Sequence, residues 1–275
     1  MRALVLGGGG VTGIAWETGL LHGLAEAGVD LAEADLFVGT SAGSVVAAQL
    51  AGGVSLATQY EGQLRPPTGE IAARLGYGTI LRYMVAYALP GTAQQKRARL
   101  GAAAVRAKTV DEAERRKVFE GRLAQGGWPE RELKVTAVNT SDGAFKAFDR
   151  DSGAPFVDAV AASCAVPLVW PPVSINGDRY MDGGMRSPAN VDLAAGYSQV
   201  VVVAPIVRAF GHAARPDVQA ARLGADVRSI VVSPDTAAQA AIGANVLDPA
   251  RRKPSAEAGF AQAATVVDAV REVWG

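Results

Sequence analysis

Short apolar runs, rich in β-branched residues and bounded by turn formers, recur at Ala3–Leu6, Leu36–Val38, Leu133–Val138, Ala144–Phe148, Val200–Ala204 and Arg228–Val232. Runs of this length and composition predict strands. Between them the apolar positions follow a helical period at Ile14–Ala27, Ser44–Ala51, Phe156–Cys164, Pro188–Ala195, Asp217–Leu223, Thr236–Ile242 and Ala256–Trp274. In the last of these, Phe260, Val266, Val267, Val270 and Trp274 fall on related faces, as a helix packed on a core requires. Strands alternating with helices predict an α/β fold whose sheet is covered on both sides. The exception is Ser55–Ala124, a mostly helical stretch without a convincing strand, interrupted by "RPPTG" and "LPG" and closed by "QGGWPE". The expected organisation is therefore one domain spanning 1–275, with a helical cap inserted at about 55–125.

Composition narrows the classes. With 49% hydrophobic residues the 275-residue chain can bury an extensive core, and its 27 basic and 27 acidic residues cancel, which gives no reason to expect nucleic acid as a partner. Cys164 is the only cysteine, so an intrachain disulfide is excluded and a cytoplasmic, reducing location is expected. The start "MRALVLGGGG" reads as a first strand running into a turn and not as a signal peptide. The densest apolar run, "VVVVAPIV", falls well short of the ~18–20 residues that a membrane span needs. The charge is unevenly placed, however. Between Arg65 and Lys108 stand Arg65, Arg74, Arg82, Lys96, Arg97, Arg99, Arg106 and Lys108, against Glu70 as the only acid. The same stretch holds the apolar helix "TILRYMVAYALPG" and then "QQKRARL". One reading is a buried lid helix with a solvated basic face. The other is a mobile cap making peripheral contact with an anionic membrane.

Two motifs carry candidate chemistry. "VLGGGGVTGIAWETG" places four glycines between a strand and a helix, where backbone amides can hold negative charge. The pattern Gly8-x-Gly10-x-x-Gly13, with Asp30 and Glu33 roughly 20 residues on, fits a dinucleotide fingerprint. It fits an oxyanion hole equally well. The second motif is "LFVGTSAGS", a strand, then Gly39-Thr40-Ser41-Ala42-Gly43, then a helix, which is the context of a G-x-S-x-G nucleophile elbow. A serine on so sharp a turn projects its hydroxyl from the sheet, and glycines two places before and after let neighbouring backbone pass. An exposed nucleophile is of no use beside a pyrophosphate, whereas acyl transfer needs donors and nucleophile to converge on one carbonyl. The pair of motifs therefore favours the oxyanion.

Ser41 needs a base. His22 lies inside the first helix and His212 in a loop followed by another strand and two helices, so neither is well placed for it. Asp182, in "RYMDGGMRSPAN", is delivered by a short hairpin after "AASCAVPLVWPP", whose apolar wall would desolvate it. Cys164 beside this stretch reads as a small packing residue.

The glycine loop, Gly39-Thr40-Ser41-Ala42-Gly43, "ASCAVP" and "DGG" occur in the order found in patatin-like phospholipases, and the chain resembles that family over nearly its whole length. The resemblance implies a three-layer patatin-like α/β sandwich with a mostly parallel central sheet, a serine elbow and a helical insertion. It further implies a Ser41–Asp182 dyad without histidine or metal, an oxyanion hole from Gly8, Gly9 and Gly10, and motif glycines at Gly13, Gly183 and Gly184. No cofactor is implied, and the implied substrate is a lipid acyl ester cleaved through an acyl-enzyme. One departure stands out: the family's loop carries Arg or Lys before its last glycine, where this chain has Thr12. Three other readings stay open: an acyl-carrier transacylase using His212, a dinucleotide-dependent reductase, and a catalytically silent lipid-binding member.

Overall fold

Beyond Arg2 the first strand is apolar because it is covered on both faces. A computed structural model describes residues 1–66, 73, 76–123 and 126–275 of the chain. Strand β1 (Arg2–Leu6) leads through the glycine loop into helix α1 (Gly10–Glu26), then β2 (Leu36–Gly39) and α2 (Ala42–Ala51). Four helices follow before the next strand: α3 (Leu56–Leu64), α4 (Tyr77–Ala88), α5 (Ala93–Val105) and α6 (Glu112–Arg122). They occupy the stretch expected as a helical insertion. Residues 67–72, 74–75 and 124–125 of the expected insertion, with Glu70 and Arg74, lie outside the described residues. The chain continues through β3 (Glu132–Asn139), β4 (Phe145–Phe148), α7 (Phe156–Ser163), β5 (Val173–Ile175) and β6 (Asp178–Asp182). It ends with β7 (Gln199–Val203), α8 (Pro216–Ala221), β8 (Arg228–Val232), α9 (Thr236–Ile242) and α10 (Arg252–Trp274).

The strands form one sheet in the order β5-β6-β3-β2-β1-β7-β8, with β4 also paired to β3. Its central pairs are parallel, and the antiparallel pairs gather at the β3 end. Alternate side chains feed two cores. Leu4, Leu6, Phe37, Val201 and Val203 join the core under α1, α2, α7 and α10. Ala3, Val5, Leu36, Val38, Val200 and Val202 join the other, closed by α8 and the segment around Ala189, Val191 and Ala194. This is the strand period of two, doubled because both faces are buried. On the thicker side, α1 and α10 approach closely: a Cβ on Gly19 would meet the Ala256 carbonyl oxygen at 2.0 Å, and one on Gly259 would meet that of Trp16 at 2.2 Å. The Trp16 indole then donates to Gln262 Oε1 at 2.9 Å.

One feature of the sheet places the site. Along β3, Gly39 of β2 stands opposite Val135, and Asp182 of β6 opposite Ala137. The other edge of β3 at these positions is held by β4, where Val135 faces Phe148 and Ala137 faces Lys146. Strands β2 and β6 therefore enter the same edge of β3 from opposite directions and meet end to end at Thr136. The hairpin expected to deliver Asp182 is β5–β6.

One expected helix does not form. Pro188–Ala195 contains only a 3-10 turn at Val191–Ala194, because Asn190 takes a left-handed conformation at φ 52°. Its side chain reaches back into the sheet end, and that geometry cannot continue a helix.

Candidate active site

Ser41 sits where β2 turns into α2, at φ 52° and ψ −117°. For a residue with a β-carbon this conformation costs about 1–3 kcal/mol and persists only if the surroundings enforce it. Here they do. The Ser41 N–H donates to Ser163 Oγ at 2.9 Å, while its carbonyl accepts from Ser44 Oγ at 2.6 Å and Cys164 Sγ at 3.1 Å. The flanking glycines permit the turn: a Cβ on Gly39 would meet Ser44 Cα at 2.4 Å, and one on Gly43 would meet the Leu6 carbonyl at 2.3 Å. Cys164 thus touches the serine's frame through its thiol. That thiol is buried, with its pKa pushed up to about 12 by loss of water, so it stays neutral and unreactive.

Asp182 closes β6. Its Oδ1 accepts the Gly184 N–H at 2.7 Å, and the Ser41 hydroxyl lies near enough to favour the charged carboxylate. Burial raises the carboxyl to about 6 despite these two neighbours, which favour the ionised form. Gly183 lies against the Thr136 backbone, where a Cβ would approach the carbonyl oxygen to 2.5 Å. Behind the pair is a buried polar knot. Thr40 Oγ1 and Thr136 Oγ1 lie 2.9 Å apart, and the Asn190 amide nitrogen donates to Thr40 Oγ1 at 3.0 Å, to Ser187 O at 3.0 Å and to Thr136 Oγ1 at 3.3 Å. One side chain therefore ties together the serine turn, the central strand and the aspartate loop.

The glycine loop lies across from Ser41, with the Cβ that Gly8 lacks placed 3.4 Å from Ser41 Cβ. Of the three amides expected to face an oxyanion, that of Gly8 is already taken by Pro188 O at 2.8 Å. Among the described residues no backbone carbonyl accepts from Gly9 or Gly10. These two stand at the start of α1, whose dipole adds to their capacity for negative charge. Gly10 has φ +62°, and a Cβ there would strike Val246 O at 2.4 Å. Gly13 follows in the first turn, packed on Ala42 and Pro205. Thr12 fills the place of the family's basic residue in a different way: its hydroxyl contacts Val246 O at 3.2 Å and Gly9 O at 3.4 Å, and so braces the loop.

Gly8, Gly9, Gly10, Ser41 and Asp182 share one cavity of about 350 Å³, walled by apolar side chains that include Ile80, Met84, Val166, Met185, Phe210 and Leu247. Tyr83 hangs over it, its phenol raised by burial and by the nearby Asp182. No histidine lines it. His22 instead stacks among Tyr60 and Phe260, with ring centroids 4.9 and 5.5 Å away, and His212 is exposed in a 3-10 turn. Asp30 and Glu33, the acids a dinucleotide site would use, lie before β2 and so at the opposite end of the strands from the glycine loop. Asp30 caps a local turn, and Glu33 pairs with Arg2 at 3.6 Å. Among the described residues no group of three or more His, Cys, Asp or Glu is placed to hold a metal ion, and no helix is long and apolar enough to cross a membrane.

Sequence reasoning did not find Ser163, Thr136 or Asn190. Thr136 and Ser163 are distant in sequence from the residues they hold, and only the pairing of strands brings them in. Asn190 alone carried a signal, as a turn-forming residue inside an apolar helical pattern.

The family model described as patatin-like phospholipase matches residues 4–195, a span that includes the glycine loop, Ser41 and Asp182. Comparison with curated proteins gives no match. Among solved structures, VipD from Legionella pneumophila is similar at 14% identity and a TM-score of 0.48, over 98% of this chain and 67% of that one. The type III effector protein ExoU is similar at 15% identity and a TM-score of 0.43, over 98% of this chain and 53% of that one. The chain thus spans about half the length of the latter.

Proposed function

The chain belongs to the patatin-like phospholipase family, which is a family of lipid hydrolases, and from that premise we propose that it cleaves acyl esters of lipids through Ser41 and Asp182. The observation that carries this reading is that Ser41, held on a sharp turn, and the buried carboxyl group of Asp182 line the same apolar cavity beside the glycine loop. In the proposed reaction Asp182 accepts the Ser41 proton as the hydroxyl oxygen attacks the ester carbonyl. The amides of Gly9 and Gly10 receive the oxyanion, and the apolar walls receive the acyl chain. When the tetrahedral intermediate collapses, the carboxyl proton goes to the leaving alcohol. Water then attacks the acyl-enzyme with Asp182 again as base, and Ser41 is regenerated. A carboxyl near 6 suits both halves of this cycle, since it can take and return a proton close to neutral pH.

Neither histidine lines the cavity, which favours the dyad over a transacylase triad. Peripheral contact with an anionic membrane from a cytoplasmic location belongs to the same reading, because the ester would be drawn from lipid. A fluorophosphonate probe tests the proposal directly: it should label the intact chain at Ser41 and fail to label Ser41→Ala. Labelling elsewhere, or none, would refute it.

A further inference from the structure

Helix α4 has two unlike faces. Inward, the Tyr83 hydroxyl donates to Pro167 O at 2.7 Å, the Tyr87 hydroxyl donates to Met185 O at 2.9 Å, and the Tyr87 ring stacks on Phe210 at 3.9 Å. Outward, Leu81, Val85 and Leu89 stand in one row at four-residue spacing, 57, 50 and 46% exposed, with Ile80 and Met84 in the next row at 44 and 57%. Beside them the loop after β7 exposes Ile206, Val207 and Phe210. Scattered exposed apolar side chains need no explanation, but a contiguous set around an opening does. Ile80, Met84, Ile206 and Phe210 belong both to this exposed set and to the wall of the cavity that holds Ser41. The apolar surface therefore runs directly into the candidate active site.

Charge says what covers it. From Gly76 to Lys108 the chain has six basic residues and no acid, and Arg208 stands in the neighbouring loop. Not all of these are available. The Arg97 guanidinium donates to Gly143 O at 2.9 Å, and that of Arg99 to Leu89 O at 3.3 Å and Pro90 O at 2.5 Å, so much of the "QQKRARL" cluster braces the fold. Arg82 and Arg208 are exposed beside the apolar rows.

We infer that this face docks on an anionic phospholipid bilayer, with Leu81, Val85, Leu89 and Val207 inserted at the acyl boundary and Arg82 and Arg208 at the level of the headgroup phosphates. Long basic side chains bury their stems in this way while keeping the charge hydrated. The cavity mouth then opens into the bilayer, and an ester reaches Ser41 without crossing water. This names the partner of the site proposed above, and it rests on that reading only for the direction in which substrate enters.

Binding is tested apart from chemistry, in the Ser41→Ala chain, by co-sedimentation with vesicles of phosphatidylcholine alone or mixed with phosphatidylglycerol. The mixed vesicles should bind more tightly, and Leu81→Glu with Val85→Glu should weaken that binding by ~10-fold or more, since both positions would carry charge into apolar surroundings. In the Ser41-containing chain the same two changes should leave hydrolysis of a monomeric short-chain ester unchanged. A polarity-sensitive dye on Leu81→Cys, in a chain whose native Cys164 is buried, should report an apolar environment on adding mixed vesicles. Vesicle binding indifferent to both substitutions, or a dye that sees no change, would overturn the inference. So would light scattering that shows a dimer which the substitutions dissociate, because the face would then be a self-interface. Failure to bind vesicles in a chain that still reacts with fluorophosphonate refutes the docking alone. Binding without that reactivity refutes the catalytic reading alone.

Discussion

Gly39 and Asp182 stand two places apart along one edge of β3, the first opposite Val135 and the second opposite Ala137. The strands that carry them run in opposite directions, so the turn bearing Ser41 and the loop bearing Asp182 are brought together by the same ladder. Central strands are the least deformable part of such a fold, because they are buried on both faces and hydrogen-bonded on both edges. Backbone register thus brings the serine turn and the carboxyl group together, and the hydrogen bonds that hold the turn complete their placement. That is the rigidity an acid–base pair needs, because small misplacements cost large factors in rate.

Removing either partner should abolish turnover. Ser41→Ala and Asp182→Asn are each expected to lower kcat for a chromogenic fatty-acyl ester by about 10⁴-fold or more, with the thermal transition still cooperative. His22→Ala and His212→Ala should retain most activity, given the aromatic stack around the one and the exposure of the other. If His212→Ala were as inactive as Ser41→Ala, a triad would replace the dyad.

The raised carboxyl has consequences for both rate and stability. Asp182 must be ionised to accept the serine proton, so kcat/KM should rise with pH along a limb centred near 6, well above the ordinary aspartate range. Stability should move the other way. With the folded carboxyl near 6 and the unfolded one near ~4, the folded state holds its proton more tightly. The contribution is complete below ~4 and is lost as pH rises through 6, at a cost of about 3 kcal/mol. Asp182→Asn removes this dependence. The Tm of the variant relative to the native chain should therefore climb by roughly 5–10 °C between pH 4 and pH 8. A gap that stays constant over that range would show that burial does not perturb the carboxyl group.

Much of this candidate site is legible in the sequence. "GTSAG" between a strand and a helix pointed to Ser41, and "DGG" after a hairpin pointed to Asp182, because sharp turns demand particular residues at particular places. The alternation of strands and helices likewise predicts an α/β sheet covered on both sides, and the family resemblance its mostly parallel order. What stayed hidden depends on register. Nothing in the residues around Thr136 or Ser163 reveals that they contact Thr40 and the Ser41 amide, since both contacts bridge more than ninety positions. In sequence the glycines of the loop look alike, and only the bond from the Gly8 amide to Pro188 O sets Gly8 apart. The apolar spacing of Pro188–Ala195 predicts a helix, and tertiary hydrogen bonds to Asn190 override that local preference.

The buried knot should act on catalysis through position. Asn190→Ala leaves Thr40 and Thr136 short of a donor and is expected to lower Tm by roughly 5–10 °C, corresponding to about 2–3 kcal/mol. Thr136→Val should do less to Tm, but well below its Tm it should still slow both kcat and fluorophosphonate labelling of Ser41 by about 10-fold, with KM little changed. Thr136→Ser should restore both rates, because it returns the hydroxyl. A Thr136→Val chain that is less stable yet labels at the native rate would make the knot purely structural.

The glycine loop offers the sharpest test of where negative charge develops. At Gly10 the backbone has φ +62°, which a β-carbon disfavours, and the Cβ would strike Val246 O at 2.4 Å. At Gly9 it would strike Pro205 Cβ at 2.5 Å. Alanine at either place must therefore rotate the loop and turn its amide away from the ester carbonyl. Losing one such donor costs ~2.7–4 kcal/mol, or about 10²–10³-fold in kcat. Gly13→Ala is the matched control in the same first turn, because its Cβ would meet neighbours at an ordinary 3.4 Å and its amide already bonds Gly9 O at 2.8 Å. Its kcat should stay within a few-fold of native. Circular dichroism and Tm would first establish that all three chains are folded, and steady-state kinetics on a soluble ester would then separate them. Gly10→Ala with native kcat would remove the loop from the mechanism, and equal losses in all three chains would trace the effect to α1 packing and not to the amides.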